Sequence, residues 1–272
     1  MKYIIDHDYH IHSQLSYCSL NPEQTNERIL KYAEDNGFSE ICLTDHFWDH
    51  RVEGFGRQGS YDKQSLDHIL QALPLPQSDK VKFYFGGEGD MDKNLRVGVT
   101  ADIYNTLDFF IVPTTHMHMP GFTVEETDTA LERRAELYVK RFYALFENKA
   151  LIPERTGIAH MTDSLLAWHN KNFEDHLIVL DMIPDEVFKD LFEKTAQKGF
   201  GIELNFQLDE YTKAQYDTVL RPYFIAKDCG CKFYLGSDAH HPSELDAAYD
   251  KFCAIVEVLK LEESDKFKFA TK

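Results

Sequence analysis

The sequence predicts an α/β fold in which parallel strands close into a (β/α)7 barrel, TIM-barrel-like, as a single domain over residues 1–272. Three observations predict it. Seven short apolar runs rich in β-branched and aromatic residues each end on a polar side chain able to bind metal: His10, His46, Glu88, His116, His160, Asn205 and Asp238. The steps between those ends are 36, 42, 28, 44, 45 and 33 residues, the length that a strand, a crossover helix and a return strand need. No linker or low-complexity stretch divides the chain, and 43% apolar content can fill one large core. In such barrels the strand bodies fill the centre and chemistry collects at the C-terminal strand ends. An open doubly wound sheet would rarely use every strand in this way.

The elements follow in order. "KYIIDHDYH" is the first strand, and the period-two alternation turns His10 and His12 to one side of it. Residues 22–37, "PEQTNERILKYAEDNG", read as a helix opened by Pro22 and closed by Gly37. "EICLTDH" is the second strand; a helix around 60–73 and the loop "QALPLPQSD" lead to the third, "VKFYFGGE". "DFFIVPTTH" is the fourth, followed by a long helix from Thr123 whose stretch "RRAELYVKRFYALF" presents a core face rather than a cofactor box. After "TGIAH" the segment 161–183 has no readable period. Helices around 184–198, 212–229 and 242–260 alternate with the last strands, "FGIELN" and "KFYLGSD".

Forty-six acidic against 29 basic residues give a net charge of −17, which argues against sequence-independent attraction to nucleic acid or to an anionic membrane. No apolar run is long enough for a signal peptide or a membrane span, so a cytoplasmic protein is expected. Five irregularly spaced cysteines do not form a disulfide framework, and Cys229-Gly-Cys231 is not a zinc-ribbon pair. Asp90, Asp92 and Asn94 alternate like a calcium loop, but Leu95 and Ala101 stand where an EF-hand needs Gly and Glu. No G-x-S-x-G nucleophile elbow is present.

The polar strand ends form one ordered set: His10-x-His12, Thr44-Asp45-His46, Glu88, His116, His160 and Ser237-Asp238-Ala239-His240. Over the whole chain this set resembles the PHP family, which includes histidinol phosphate phosphatases, other metal-dependent phosphoesterases and the PHP domains of bacterial DNA polymerases. The resemblance implies a distorted seven-stranded β/α barrel with two or three divalent metal ions. It implies that His10, His12, Glu88 and Asp238 bind the first metal, that Glu88 bridges to a second held by His116 and His160, and that His46 and His240 serve a third. Imidazole and carboxylate donors suit zinc, iron or manganese. Glu88, Asp238 and His240 are the candidate catalytic residues, and Asp45 is expected to orient a ligating imidazole through its other nitrogen. His7, His118 and His241 stand beside the motif positions, not at them.

The chain departs from the family pattern twice. Six residues beyond His12, where many members carry another His or Asp for the third metal, this chain has Cys18, whose thiolate is itself a zinc ligand. No arginine follows the fifth-strand histidine in "AHMTDSLLAWHNK", so Arg51 and Arg57 in "WDHRVEGFGRQG" are the candidates for gripping phosphate, with Asn205 lining the pocket. The expected reaction is hydrolysis of a small phosphorylated metabolite, a phosphomonoester such as histidinol phosphate, by a metal-bridging hydroxide. Two alternatives are an amidohydrolase-like enzyme acting on C–N bonds and a non-catalytic, metal-stabilised domain. Against the first, Glu88 stands where such enzymes often use a lysine bridge.

Overall fold

Each expected strand forms, and each is short, buried and parallel to its neighbours. In the computed structural model, which describes residues 1–53, 63–168, 172–205 and 208–270, the strands are β1 (His7–Ile11), β2 (Glu40–Leu43), β3 (Lys82–Phe85), β4 (Gly87–Glu88), β5 (Phe110–Pro113), β6 (Thr156–Ala159), β7 (Gly201–Leu204) and β8 (Lys232–Leu235). The helices among the described residues are α1 (Asn26–Asp35), α2 (Leu66–Ile69), α3 (Ala101–Tyr104), α4 (Leu131–Glu147), α5 (Asp175–Met182), α6 (Asp185–Lys198), α7 (Tyr216–Asp228) and α8 (Pro242–Leu259).

The third expected strand is divided at Gly86 into β3 and β4, and the division separates two sheets. One has the order β1-β2-β3 and the other β4-β5-β6-β7-β8, with every pairing parallel. Continuous ladders do not close the ring. Isolated bridges span the two seams, Ile11 with Ala239 and His46 with Glu88. Asp238 N donates to His10 O at 2.8 Å and His12 N to Ala239 O at 3.1 Å across the first seam. Glu88 N donates to Asp45 O at 3.2 Å across the second.

Helix boundaries differ from the expected ones where side chains compete for backbone donors. Thr25, not Pro22, caps α1, accepting from Arg28 N, and Gly37 closes the turn after it with a φ of +71°. α4 starts at Leu131 rather than Thr123. Thr123 Oγ1 is tied to Met119 O at 3.3 Å, and Asp128 accepts from Glu125 N at 3.0 Å and Arg133 Nε at 2.8 Å, so 123–130 coil as turns. In α7 the helix likewise waits until Tyr216, because Gln215 Oε1 holds Thr212 N at 2.8 Å. α5 falls in the segment with no readable period: "HLIVL" is apolar on every side.

Two main cores follow from this arrangement, beside a small cluster of Trp48 and Phe122. The larger lies between strands and helices. The smaller sits inside the ring of strands and gathers Tyr9, Cys42, Tyr84, Phe109, Ile111 and Tyr234, closed by Phe267 and Phe269 from the C-terminal segment. Burying an aromatic of that size contributes about 2 kcal/mol, so this end of the ring is a plug. Functional side chains are left to the opposite end. No helix among the described residues is long and apolar enough to cross a membrane.

Candidate metal centre

β1 ends inside the ring, and its alternation delivers His10 and His12 together, with Nε2 atoms 3.0 Å apart. Both face two carboxylates. Glu88 Oε2 lies 3.3 Å from each nitrogen, and Asp238 Oδ1 lies 3.2 Å from His10 and 2.9 Å from His12. His160 Nε2 approaches from the other side, 3.4 Å from Glu88 Oε1 and 3.6 Å from Asp238 Oδ2. His10, Glu88, His160 and Asp238 thus present donor atoms within 4.8 Å of one another, and so, separately, do His12, His46 and His240. Cys18 Sγ lies at the edge of the second group, 2.9 Å from His240 Nε2. His46 Nδ1 reaches Glu88 Oε2 at 2.9 Å, which links the groups. The backbone is bent to achieve this: His160 and Asp238 take φ values of 56° and 53°, left-handed conformations that cost about 1–3 kcal/mol each.

Hydrogen bonds to the far nitrogens decide what the near nitrogens can do. Glu203, an obligate acceptor when ionised, meets His10 Nδ1 at 2.5 Å and also takes His160 N at 3.0 Å. Asp45 accepts Ser16 Oγ at 2.7 Å, so that hydroxyl must in turn accept from His12 Nδ1 at 2.8 Å. Asp45 therefore orients the imidazole through a serine, not directly. Asp90 accepts from His116 Nδ1 at 2.8 Å, and the Asp238 carbonyl from His240 Nδ1 at 2.7 Å. In all four rings the proton is held on Nδ1; the Nε2 atoms of His10, His12 and His240 meet other donors of the cluster, whereas His116 borders the cavity and belongs to neither donor group.

Two lone pairs 3.0 Å apart repel unless a cation or a shared proton lies between them. Glu88 Oε1 and Asp238 Oδ1 are buried without a hydrogen-bond partner, which asks for the same thing. The electrostatics agree. Burial alone would pull the His10 and His46 imidazoles down, but carboxylates hold both well above the usual range: Glu203, Asp238 and Glu88 for His10, and chiefly Glu88 for His46. His160 and His240 are raised to about 9 against the same burial, both chiefly by Asp238. Burial pushes Glu88 and Asp238 up, yet the surrounding imidazoles hold both well below the usual carboxylate range. Cys18 is brought down to about 5, burial being outweighed by His46 and His240. Anionic oxygen and sulfur among neutral-capable nitrogens form a donor set for divalent metal, and these residues fit it.

A cavity of about 300 Å³ opens over the cluster, bordered by Cys18, His46, His116, His160, Asp238 and His240, with Tyr17, Met119 and Leu165 as its apolar rim. Its size suits a small metabolite. His116 stacks on His160 at 5.0 Å between ring centroids. His118 also lines the cavity, and burial pulls its imidazole down to about 3. Asn205 stands behind His160, its amide 3.3 Å from Nδ1, and not on the cavity wall. Arg51 is engaged by Asp49 at 2.9 Å and Asp102 at 2.7 Å, away from the cavity lining. Arg57 lies outside the described residues.

Ser16, Asp90 and Asp8 are the residues that motif reading does not single out for this site. Asp8 is buried, accepts from Ser237 N at 3.0 Å and His10 N at 3.2 Å, and so ties β1 to the turn carrying Asp238. Its one visible signal is a charge inside an otherwise strand-like run.

No family model matches the sequence, and no curated protein matches it. Solved structures do match in fold. A histidinol phosphate phosphatase from Lactococcus lactis subsp. lactis, solved with zinc, L-histidinol and phosphate, aligns over 97% of this chain and 98% of its own with a TM-score of 0.62 at 18% identity. A candidate histidinol phosphatase from Listeria monocytogenes aligns over 91% of this chain and 100% of its own, with a TM-score of 0.63 at 15% identity. At these identities the likeness establishes a shared α/β fold built on parallel sheets and nothing about activity.

Proposed function

We propose that the chain is a PHP-family, metal-dependent phosphomonoesterase of the histidinol-phosphatase type, its two sheets wrapping as one distorted (β/α)7 barrel domain over residues 1–272. One observation carries the reading: the facing Nε2 atoms of His10 and His12, 3.0 Å apart, with both protons held elsewhere by Glu203 and by the Ser16–Asp45 relay. The assignment of donors is His10, His12, Glu88 and Asp238 to one ion; Glu88, His116 and His160 to a second; and Cys18, His46 and His240 to a third. Zinc, iron and manganese suit nitrogen and oxygen donors, and the thiolate favours zinc at the last. Bound divalent ions would lower the pKa of water towards neutrality and neutralise charge on a phosphoryl group.

The chain's own residues then have separable tasks. Glu88 and Asp238 keep two carboxylates ionised at the cavity floor, and His240, its proton held by the Asp238 carbonyl, would help hold the ion that stabilises charge on the leaving oxygen. Glu203, Asp45 and Asp90 keep imidazole protons off the cluster. Tyr17, Met119 and Leu165 would receive the organic part of a small phosphorylated metabolite, such as histidinol phosphate. A cytoplasmic location, with neither membrane nor sequence-independent nucleic-acid contact, is in keeping with the charge of −17.

The test is elemental analysis followed by a phosphate-ester panel including histidinol phosphate and p-nitrophenyl phosphate. Two or three ions per chain are expected, with turnover that chelation removes. Turnover that persists in His12→Ala combined with Glu88→Ala would overturn the proposal.

A further inference from the structure

α4 carries two arginines, Arg134 and Arg141, seven residues apart and therefore two turns along one face. Both are buried, 1% and 0% exposed. Burying a guanidinium is costly even when its donors are matched, and here they are matched only in part: Arg134 Nε and Arg141 Nε and Nη1 have no hydrogen-bond partner among the described residues. An apolar side chain would fill this face of α4 at lower cost.

What the remaining donors hold is specific. Arg134 Nη1 donates to the Met117 carbonyl. Arg141 Nη2 donates to the Met91 carbonyl at 3.1 Å and to the Thr123 carbonyl at 2.5 Å. Met117 directly follows His116, and Met91 directly follows Asp90. Asp90 in turn accepts the His116 Nδ1 proton at 2.8 Å. The two guanidiniums therefore grip the chain on both sides of one imidazole–carboxylate pair. Thr123 belongs to the turns that return from His116 towards α4, so the same grip fixes that loop.

We propose that Arg134 and Arg141 are positioning residues that hold His116 and Asp90 in register as one half of the metal centre. This rests on the metal-centre reading above, not on the identity of the substrate. A guanidinium offers a forked, directional set of donors that a lysine ammonium cannot reproduce. Arg→Lys therefore keeps the charge and loses the grip.

The experiment is zinc loading of the full chain and its Arg134→Lys, Arg141→Lys, Asp90→Asn and Arg141→Lys/Asp90→Asn variants. Zinc per chain and affinity are read by competition with a chromophoric chelator, and folding by circular dichroism and a thermal melt of the chelated protein. Each lysine variant is expected to fold and to lose about 10–100-fold in affinity for one ion while the others stay bound. The double variant is expected to be no weaker than Asp90→Asn alone, because the arginine acts through that pair. Wild-type affinity for every ion in folded lysine variants, or additive losses, would overturn the proposal. Failure of both lysine variants to fold would also overturn it, assigning the arginines to the scaffold. A wild-type chain that takes up no zinc defeats the metal-centre reading itself. Zinc uptake without turnover on the ester panel defeats only the phosphoesterase reading.

Discussion

Gly236 leaves the space that Glu203 occupies. A Cβ at position 236 would overlap Glu203 Oε1 and stand 2.8 Å from His10 Cβ. Glu203 cannot swing aside freely, because it is held by both His10 Nδ1 and His160 N. Gly236→Ala should therefore cost about 1–3 kcal/mol by overpacking and weaken metal retention in the same protein. Urea midpoints read beside zinc content check this, and a stable variant with full occupancy would contradict it.

Asp45 reaches His12 only through Ser16 Oγ, with bonds of 2.7 and 2.8 Å. Asp45→Asn offers Ser16 a donor as well as an acceptor, so the hydroxyl can turn and the His12 proton is no longer confined to Nδ1. A 10–100-fold loss of metal affinity is expected, about 1.4–2.7 kcal/mol. Ser16→Ala should give a loss of similar size, and the double variant should add little. Calorimetric zinc titrations of the three variants decide it.

Cys18 Sγ lies 2.9 Å from His240 Nε2. If its thiolate completes a third site, Cys18→Ala should lower metal content by about one ion per chain. In cobalt-substituted protein it should also remove the near-ultraviolet thiolate-to-metal charge-transfer band. Unchanged occupancy and an unchanged spectrum would indicate a binuclear centre.

His7 sits at the opposite end of β1, buried, with Nδ1 2.8 Å from Asp6 Oδ1 and Nε2 accepting Leu235 N at 3.1 Å. Burial holds its proton affinity below the usual imidazole value, although Asp6 opposes this. The sign follows directly. Below about pH 6.5 the unfolded chain binds a proton that the folded chain refuses, so the stability His7 confers is complete above that pH and is lost as pH falls through it. In zinc-saturated protein the stability gap between wild type and His7→Asn should narrow by up to about 1.4 kcal/mol per pH unit below 6.5. Urea melts at pH 7.5 and 5.5 measure it, and a gap independent of pH would refute the assignment.

Much of this was legible in the residues, and the reasons differ by element. His10 and His12 show themselves through period-two spacing, and the other donors through their place after a strand-like run. α6 and α8 lie within a residue of their expected ends, because their apolar faces keep a clear period. α5 was not legible, since a helix apolar on all sides has no period to read. Ser16 and Asp90 act through contacts made across 29 and 26 residues, and no spacing rule relates such partners. Glu203 was readable, with Asn205 in "GIELN", only as part of a strand resembling one that lines the family's pocket; its bond to His10, 193 residues away in sequence, is what defines its part. The split at Gly86 was invisible for a different reason: β3 and β4 are continuous in pattern and differ only in which neighbour they pair with.

That split has a mechanical outcome. Where ladders are missing, at the Ile11–Ala239 and His46–Glu88 bridges, the two sheets are joined beside His10, His12 and Asp238 on one side and by His46 and Glu88 on the other. At the second joint the chain itself runs on through Gly86, so ions held by those side chains would rivet chiefly the first. Stripping them should let the sheets part first at Ile11–Ala239, with the amides of His12 and Asp238 exchanging hydrogen well before those in the middle of the five-stranded sheet.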